Sequence, residues 1–174
     1  MADITAGRLV PDKNSIGGLK AVYFVNDGDV TGVTYDATFT DTIDTVTGSP
    51  TAYKYDLKGS NSFDETIVTS RENGTTFYEQ NIKLTLPKLT KKSHQELKLL
   101  TYGMPKVIVE DNNGNLFLCG LKRGMEVVGG TIVRGSTLDN LSGYTLELKG
   151  EEPVASNFID TTLVLAGFTV VSGT

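Results

Sequence analysis

Apolar and polar residues alternate along most of this chain, which is the pattern of β-strands that bury one face. In "FYEQNIKLTLP" the alternation puts Gln80, Ile82, Leu84 and Leu86 on one face and Lys83 on the other. The segments "GYTLELKG" and "AYKYDLKG" repeat the same two-residue period. Together with other runs rich in β-branched and aromatic residues, these segments predict about eight to ten strands.

One segment, at about residues 91–102, is predicted to be an α-helix. Ser93 followed by Glu96 fits a capping box, so the regular helix is expected to begin near Ser93. Gly103 suits a left-handed cap, and Pro105 prevents the helix from continuing. A helix of this length is marginal by itself, so we expect it to pack against a sheet.

The strands are expected to form one domain over residues 1–174, because no internal repeat or change of composition divides the chain. The predicted fold class is mainly β: a single β-sandwich or barrel with one short flanking α-helix. Asn73-Gly74 lies between two β-rich runs and predicts a hairpin with a type I′ turn, because both central residues of that turn need positive φ. The polar stretch around 40–62, which carries Gly48-Ser49-Pro50, predicts a protruding loop or hairpin arm.

The stretch "DNNGN", Asp111 to Asn115, is compatible with a calcium loop or with a hairpin turn. A calcium loop of the EF-hand type needs oxygen ligands at positions 1, 3 and 5, a glycine at 6 and a glutamate at 12. Counted from Asp111, the glycine falls at position 4, and Lys122 occupies position 12. The flanking segments are strand-like. We therefore predict a hairpin turn in which Asn113 and Gly114 supply the positive φ values.

The composition limits the classes of function. A formal net charge of -5 argues against a protein that binds nucleic acid by neutralising phosphates. The single cysteine, Cys119, excludes an internal disulfide, and its place in a strand predicts a buried, inert thiol. The single histidine, His94, is expected to pack half-buried on the helix. No motif supplies catalytic, cofactor-binding or metal-binding residues, so we expect no enzyme and no cofactor.

The first residues, "MADITAGRLVPDK", lack the charged start and apolar run of a signal peptide. No stretch reaches the roughly 18 apolar residues of a membrane helix. We therefore expect a protein that folds in the cytoplasm and has no membrane partner.

From Tyr78 to Pro153 the order of features resembles phage tail-tube-type virion proteins. These features are "FYEQNIKLTLPK", the helix "SHQELKLL", then "MPKVIVEDNNGNLFLCGLKRGMEV", and then "SGYTLELKGEEP". The series is similar to small virion proteins of phages infecting Bacteroidetes, including tail-tube proteins and crAss-like neck or tail ring proteins. The resemblance covers under half of the chain.

This resemblance implies a structural virion protein, made in the cytoplasm of the host bacterium and located in the tail or neck. Its subunits would join into a homo-oligomeric ring, a hexamer or a dodecamer, and contact other neck or tail proteins. DNA would pass the lumen without specific binding. A negative charge on every subunit fits such a lumen, because retained phosphate contacts would slow the DNA. Tail tube and neck ring both remain open.

The predicted arm would supply the contacts with a neighbouring subunit or ring, at Asp41, Asp44, Ser49, Pro50, Tyr53 and Tyr55. The expected lumen-facing acids are Asp29 and Asp36. An alternative from a different class is a β-sandwich recognition module that binds carbohydrate or decorates a capsid. Seven tyrosines and seven phenylalanines could supply the aromatic platforms of such a module.

Overall fold

A computed structural model describes residues 4, 6–160 and 162–173 of the chain. Over these residues it has twelve strands and one helix, which confirms the mainly β prediction. The strand count exceeds the predicted eight to ten because several strands of three or four residues are too short to give a clear alternation. In chain order the elements are β1 Leu19–Val25, β2 Gly32–Tyr35, β3 Thr42–Thr47, β4 Thr51–Asp56, β5 Ser62–Ser70, β6 Thr75–Pro87, α1 Lys91–Tyr102, β7 Lys106–Asp111, β8 Leu116–Cys119, β9 Glu126–Val133, β10 Gly143–Glu152, β11 Asn157–Ile159 and β12 Thr169–Ser172.

The strands form two sheets, which share one core. The larger sheet has eight strands in the order β12-β4-β1-β7-β8-β11-β3-β2, and the smaller has four in the order β5-β6-β10-β9. The core between them contains Val22 and Val107 from the larger sheet, Leu84 and Leu146 from the smaller sheet, and Leu97 from α1. The predicted inward faces of β6 and β10 are therefore confirmed.

The larger sheet curls until its ends approach each other. β3 and β4 are five strand spacings apart in the sheet, or about 24 Å if the sheet were flat. Only residues 48–50 connect them, and that link spans at most about 14 Å. Two hydrogen bonds connect the β3 and β4 regions to residues 166–169. Val46 N–H donates to Ala166 C=O (2.8 Å), and Thr169 N–H donates to Pro50 C=O (2.9 Å). A second core fills the curl, and Ile43, Ala52, Ile108, Leu118 and Phe168 belong to it.

The predicted protruding arm at 40–62 is wrong. This interval contains β3 and β4, and both are paired inside the larger sheet. Ile43 and Ala52 are fully buried in the curl of the sheet. The many threonines and aspartates of the interval lie on the outer side of these strands, which is why the segment reads as polar even though it helps to form the core.

The helix lies at the predicted residues, Lys91–Tyr102, but its ends differ from the prediction. Thr90, not Ser93, is the N-cap, because its Oγ1 accepts the Ser93 N–H at 3.0 Å. Gly103 has an extended backbone with φ of -101° rather than a left-handed one. Its N–H still donates to Leu100 C=O at 3.4 Å.

Both predicted hairpins are confirmed, but their turns differ in detail. The Asn73-Gly74 turn is a four-residue loop rather than a type I′ turn, because Ser70 pairs with Thr75. In the "DNNGN" turn only Gly114 has a positive φ, of 86°. The predicted positive φ at Asn113 is therefore wrong.

Candidate assembly surfaces

The six residues predicted to contact a neighbour do not share one arm. Pro50 is buried, and the Tyr55 ring packs edge-on against Phe24 with a centroid distance of 5.1 Å. Those two side chains are therefore covered by the chain itself. The other four are exposed and divided between the β3 and β4 regions, at Asp41, Asp44, Ser49 and Tyr53.

The two acids predicted to face a lumen are half-buried in the structure. The Asp36 carboxylate accepts the N–H groups of Phe39 (2.9 Å) and Thr38 (2.7 Å). These two bonds lower the pKa of Asp36 and commit its carboxylate to a local turn. Asp29 lies in the loop between β1 and β2, near Gly48.

The smaller sheet has one face in the core and one face outside it. The charged side chains of the outer-face ladder lie in three cross-strand rows, and each row joins residues from neighbouring strands. The rows are Ser62–Lys83–Glu147–Gly129, Asp64–Asn81–Lys149–Glu126 and Thr66–Glu79–Glu151. No apolar side chain belongs to these rows.

The outer face of the smaller sheet is net negative. Its five carboxylates and two lysines give the rows a formal charge of -3. Lys149 Nζ contacts the carboxylates of Glu79 (3.0 Å) and Glu151 (3.6 Å), and Lys83 Nζ lies 3.5 Å from Glu147. The hydrogen bonds from Asn81 and Lys149 lower the pKa of Glu79 and so favour its ionised form.

The smaller sheet also has two open edges in the described part of the chain, one at β5 and one at β9. An open edge presents unpaired N–H and C=O groups that can pair with another strand. Four side chains on these edge strands are apolar and exposed: Ile67 (64%) and Val68 (36%) on β5, and Val128 (56%) and Ile132 (52%) on β9. These edges are therefore suited to strand addition.

The β5–β6 hairpin extends past the rest of the smaller sheet. β10 stops pairing with β6 at Tyr78, opposite Glu152. Three further pairs, from Val68–Phe77 to Ser70–Thr75, continue the hairpin for about 10 Å. We call residues 68–77 the hairpin tip.

A polar network ties the smaller sheet to the loop after β8. Gln80 accepts the Gly120 N–H at 2.9 Å and donates to Glu65, and Glu65 also accepts two bonds from Ser156. The Glu152 carboxylate, only 1% exposed, accepts backbone N–H bonds from the loop at 2.7–3.2 Å. Glu152 is not among the residues predicted from the sequence, although the alternation of β10 continues through Leu148 and Gly150 to that position.

A groove of about 440 Å³ lies between α1 and β9. Leu97 and Lys98 on the helix line one wall, Val128 and Ile132 on β9 the other, and Leu146 lies between them. His94, predicted to be half-buried, is exposed here, with its Nδ1 3.4 Å from the Tyr144 hydroxyl.

The "DNNGN" turn binds the segment that precedes β1. The Asp111 carboxylate accepts bonds from the backbone and side chains of Asn113 and Asn115, and so holds the turn closed. Asn113 then forms two 2.9 Å hydrogen bonds with the backbone of Ile16, and Asn112 Nδ2 donates to Gly17 C=O at 2.8 Å. The polar side chains of this turn therefore attach residues 16–17 to the body of the domain.

The described residues hold no group of three or more His, Cys, Asp or Glu side chains placed to bind a metal ion. Burial raises the pKa of the Cys119 thiol, which makes it a poor nucleophile. Within the described ranges, the helix is not long and apolar enough to cross a membrane. No family model, curated protein or solved structure matches the chain.

Proposed function

We propose that this protein is a structural subunit that assembles with copies of itself into a ring in a phage virion, either a tail-tube ring or a neck ring. The observation that carries the proposal is the smaller sheet. It has a packed inner face, a polar outer face with a charge of -3, and an open edge on each side.

The strand directions favour a head-to-tail ring. The four strands alternate in direction, so β5 and β9 run opposite ways. When β5 of one copy lies beside β9 of the next, the antiparallel pattern continues across the junction. The same contact then repeats around an axis roughly parallel to the strands, and such heterologous contacts form a closed ring when the rotation from copy to copy completes a full turn.

Side chains at the two edges support this junction. Ile67 lies on the inner face of β5, because it shares that face with Phe63 and is paired with Tyr78. On β9, Ile132 is paired with Tyr144 and lies on the same face. The two side chains lie at different levels of the sheet, Ile67 level with Tyr78 and Ile132 level with Tyr144, so each would contact a different part of the neighbouring copy.

In this arrangement the outer face of the smaller sheet lines the lumen. Its three polar rows would repel DNA phosphates weakly and offer them few cations. We therefore assign the lumen to this face and not to Asp29 and Asp36. The hairpin tip takes the place of the predicted arm at 40–62 as the candidate contact between rings or with another virion protein.

The proposal is tested by substituting Ile67 with lysine. A lysine on an edge strand opposes pairing with another chain, and the side chain is already exposed, so the fold should remain intact. Electron microscopy of the wild-type protein should show closed rings, and Ile67→Lys should abolish them without lowering the melting temperature. Leu165→Lys is the matched control, because Leu165 is 72% exposed and lies outside the smaller sheet.

Rings that survive in Ile67→Lys would exclude the β5 edge as the junction. A wild-type protein that stays monomeric and binds glycans would instead support the recognition module.

A further inference from the structure

The segment that precedes β1 carries apolar side chains that no described residue of the chain covers. We call residues 6–15 the leading segment. It has no helix or strand, and all its residues are exposed. Leu9 is 92% and Val10 94% exposed. Single exposed apolar side chains are common on protein surfaces. The functional interpretation of Leu9 and Val10 therefore depends on where the segment lies relative to the edges of the smaller sheet.

The leading segment leaves the domain beside β5. Its exit is held by the bonds from Asn112 and Asn113 to residues 16–17. Ser15 and Ile16 line the same hollow as Ser62, Phe63 and Asp64, which begin β5. The segment therefore starts at one open edge of the smaller sheet.

The groove between α1 and β9 lies at the opposite edge of that sheet. Its exposed apolar side chains are Val128 and Ile132. Gly130, which is paired with Leu146, adds no side chain to this wall and so leaves room for side chains from another segment. Within one copy, Leu9 and Val10 are exposed and do not lie in this groove.

We propose that the leading segment of one subunit fills the α1–β9 groove of the adjacent subunit, with Leu9 and Val10 as its anchors. The inference rests on the proposed ring, because head-to-tail pairing places the β5 edge of one copy beside the β9 edge of the next. The seven residue steps from Ile16 back to Leu9 span up to about 24 Å, which is enough to cross one strand spacing of about 5 Å and enter the groove.

Disulfide cross-linking between two variants that each carry one added cysteine tests this contact. A size-tagged Leu9→Cys protein is mixed with an untagged Val128→Cys protein at concentrations where the wild type forms rings, and the mixture is oxidised. The native Cys119 is fully buried and does not compete. The expected product is a disulfide-linked pair of one tagged and one untagged chain. Leu9→Cys mixed with Leu165→Cys is the matched control and should give little of it.

The outcomes separate this inference from the proposed function. Rings without the Leu9–Val128 product would overturn the inference and leave the ring intact. A Leu9→Cys/Val128→Cys double variant that links within one chain, below the concentration for ring formation, would also overturn it. A wild-type protein that never forms rings would defeat both.

An independent measurement is the protein concentration needed for assembly. Leu9→Asp/Val10→Asp should raise this concentration about tenfold or more, because two apolar side chains lose their burial. Val128→Asp should act similarly, and combining the changes should add little, because they remove one shared contact. Fully additive effects, or no effect at all, would contradict the proposed contact.

Discussion

At the scale of single residues, Glu151 and Glu152 are adjacent in sequence and have opposite surroundings. Glu151 is exposed on the outer face of the smaller sheet, 3.6 Å from Lys149. Glu152 is buried, and its carboxylate accepts the backbone N–H groups of Lys122 and Arg123. The pair therefore offers a matched test of the polar network.

Glu152→Ala should lower the free energy of unfolding by about 1–3 kcal/mol, because it leaves two part-buried N–H groups without their acceptor. Glu151→Ala should change it by no more than about 0.5 kcal/mol, because exposed ion pairs contribute little. Urea unfolding of both variants measures the difference. Equal effects would mean that the network does not hold the loop after β8.

Asp111 gives a prediction about pH. Burial raises the pKa of Asp111, but the hydrogen bonds from Asn115 and Asn113 outweigh that effect and hold it below the ordinary value of 3.8. The ionised carboxylate therefore stabilises the fold above pH 3.8, and this contribution is lost as the pH falls through the lower folded-state pKa.

Asp111→Asn should accordingly reduce the free energy of unfolding at neutral pH. The difference in free energy of unfolding between wild type and variant should be smaller at a pH of about 2.5 than at neutral pH. Urea unfolding at both pH values measures it, with Asp44→Asn, an exposed change on β3, as the control. If this difference in free energy does not change with pH, the charge of Asp111 does not stabilise the turn.

At the scale of elements, the sequence predicts the local structures and misses the distant pairings. The helix at 91–102 and the β5–β6 hairpin follow from caps, turns and alternation within a few residues. The parallel pairings of β3 with β11 and of β4 with β12 join residues more than 100 positions apart. No local pattern carries that information, which is why the sequence predicts an arm at the residues that form β3 and β4.

The two candidate arms are distinguished by deletion. Removing residues 41–51 eliminates β3 and should prevent folding. Replacing the hairpin tip, residues 68–77, with an Asn-Gly turn should leave the melting temperature nearly unchanged, because those residues extend beyond the paired body of the sheet. Circular dichroism measures both.

The variant with the shortened tip should still form rings, and these rings should associate less with one another. Electron microscopy of the ring-to-ring contacts measures this effect. Unchanged association would remove the tip from the contact between rings.

At the scale of the whole molecule, the division of charge between surfaces makes a prediction about DNA. Asp64→Lys/Glu126→Lys/Glu151→Lys changes the charge of the outer face of the smaller sheet from -3 to about +3. Assembled rings of this variant should retain linear duplex DNA, which can enter a lumen by its ends. They should not retain closed circles.

The control variant makes three Asp→Lys changes in or next to strands of the larger sheet, at the exposed residues Asp41, Asp44 and Asp160. Rings of this control should not distinguish linear DNA from circular DNA. Filter binding at low salt measures retention, because phosphate contacts are strongest there. If the first variant binds linear and circular DNA equally, positions 64, 126 and 151 lie outside the lumen.

In the proposed assembly, the β5 edge of one copy pairs with the β9 edge of the next, head to tail. The most direct measurement is the symmetry of the wild-type assembly and of Ile67→Lys, determined by electron microscopy over rising protein concentration. We predict closed rings of uniform symmetry with a central channel for the wild type, and none for Ile67→Lys. A twofold dimer, or a wild-type protein that stays monomeric at every concentration, would contradict it.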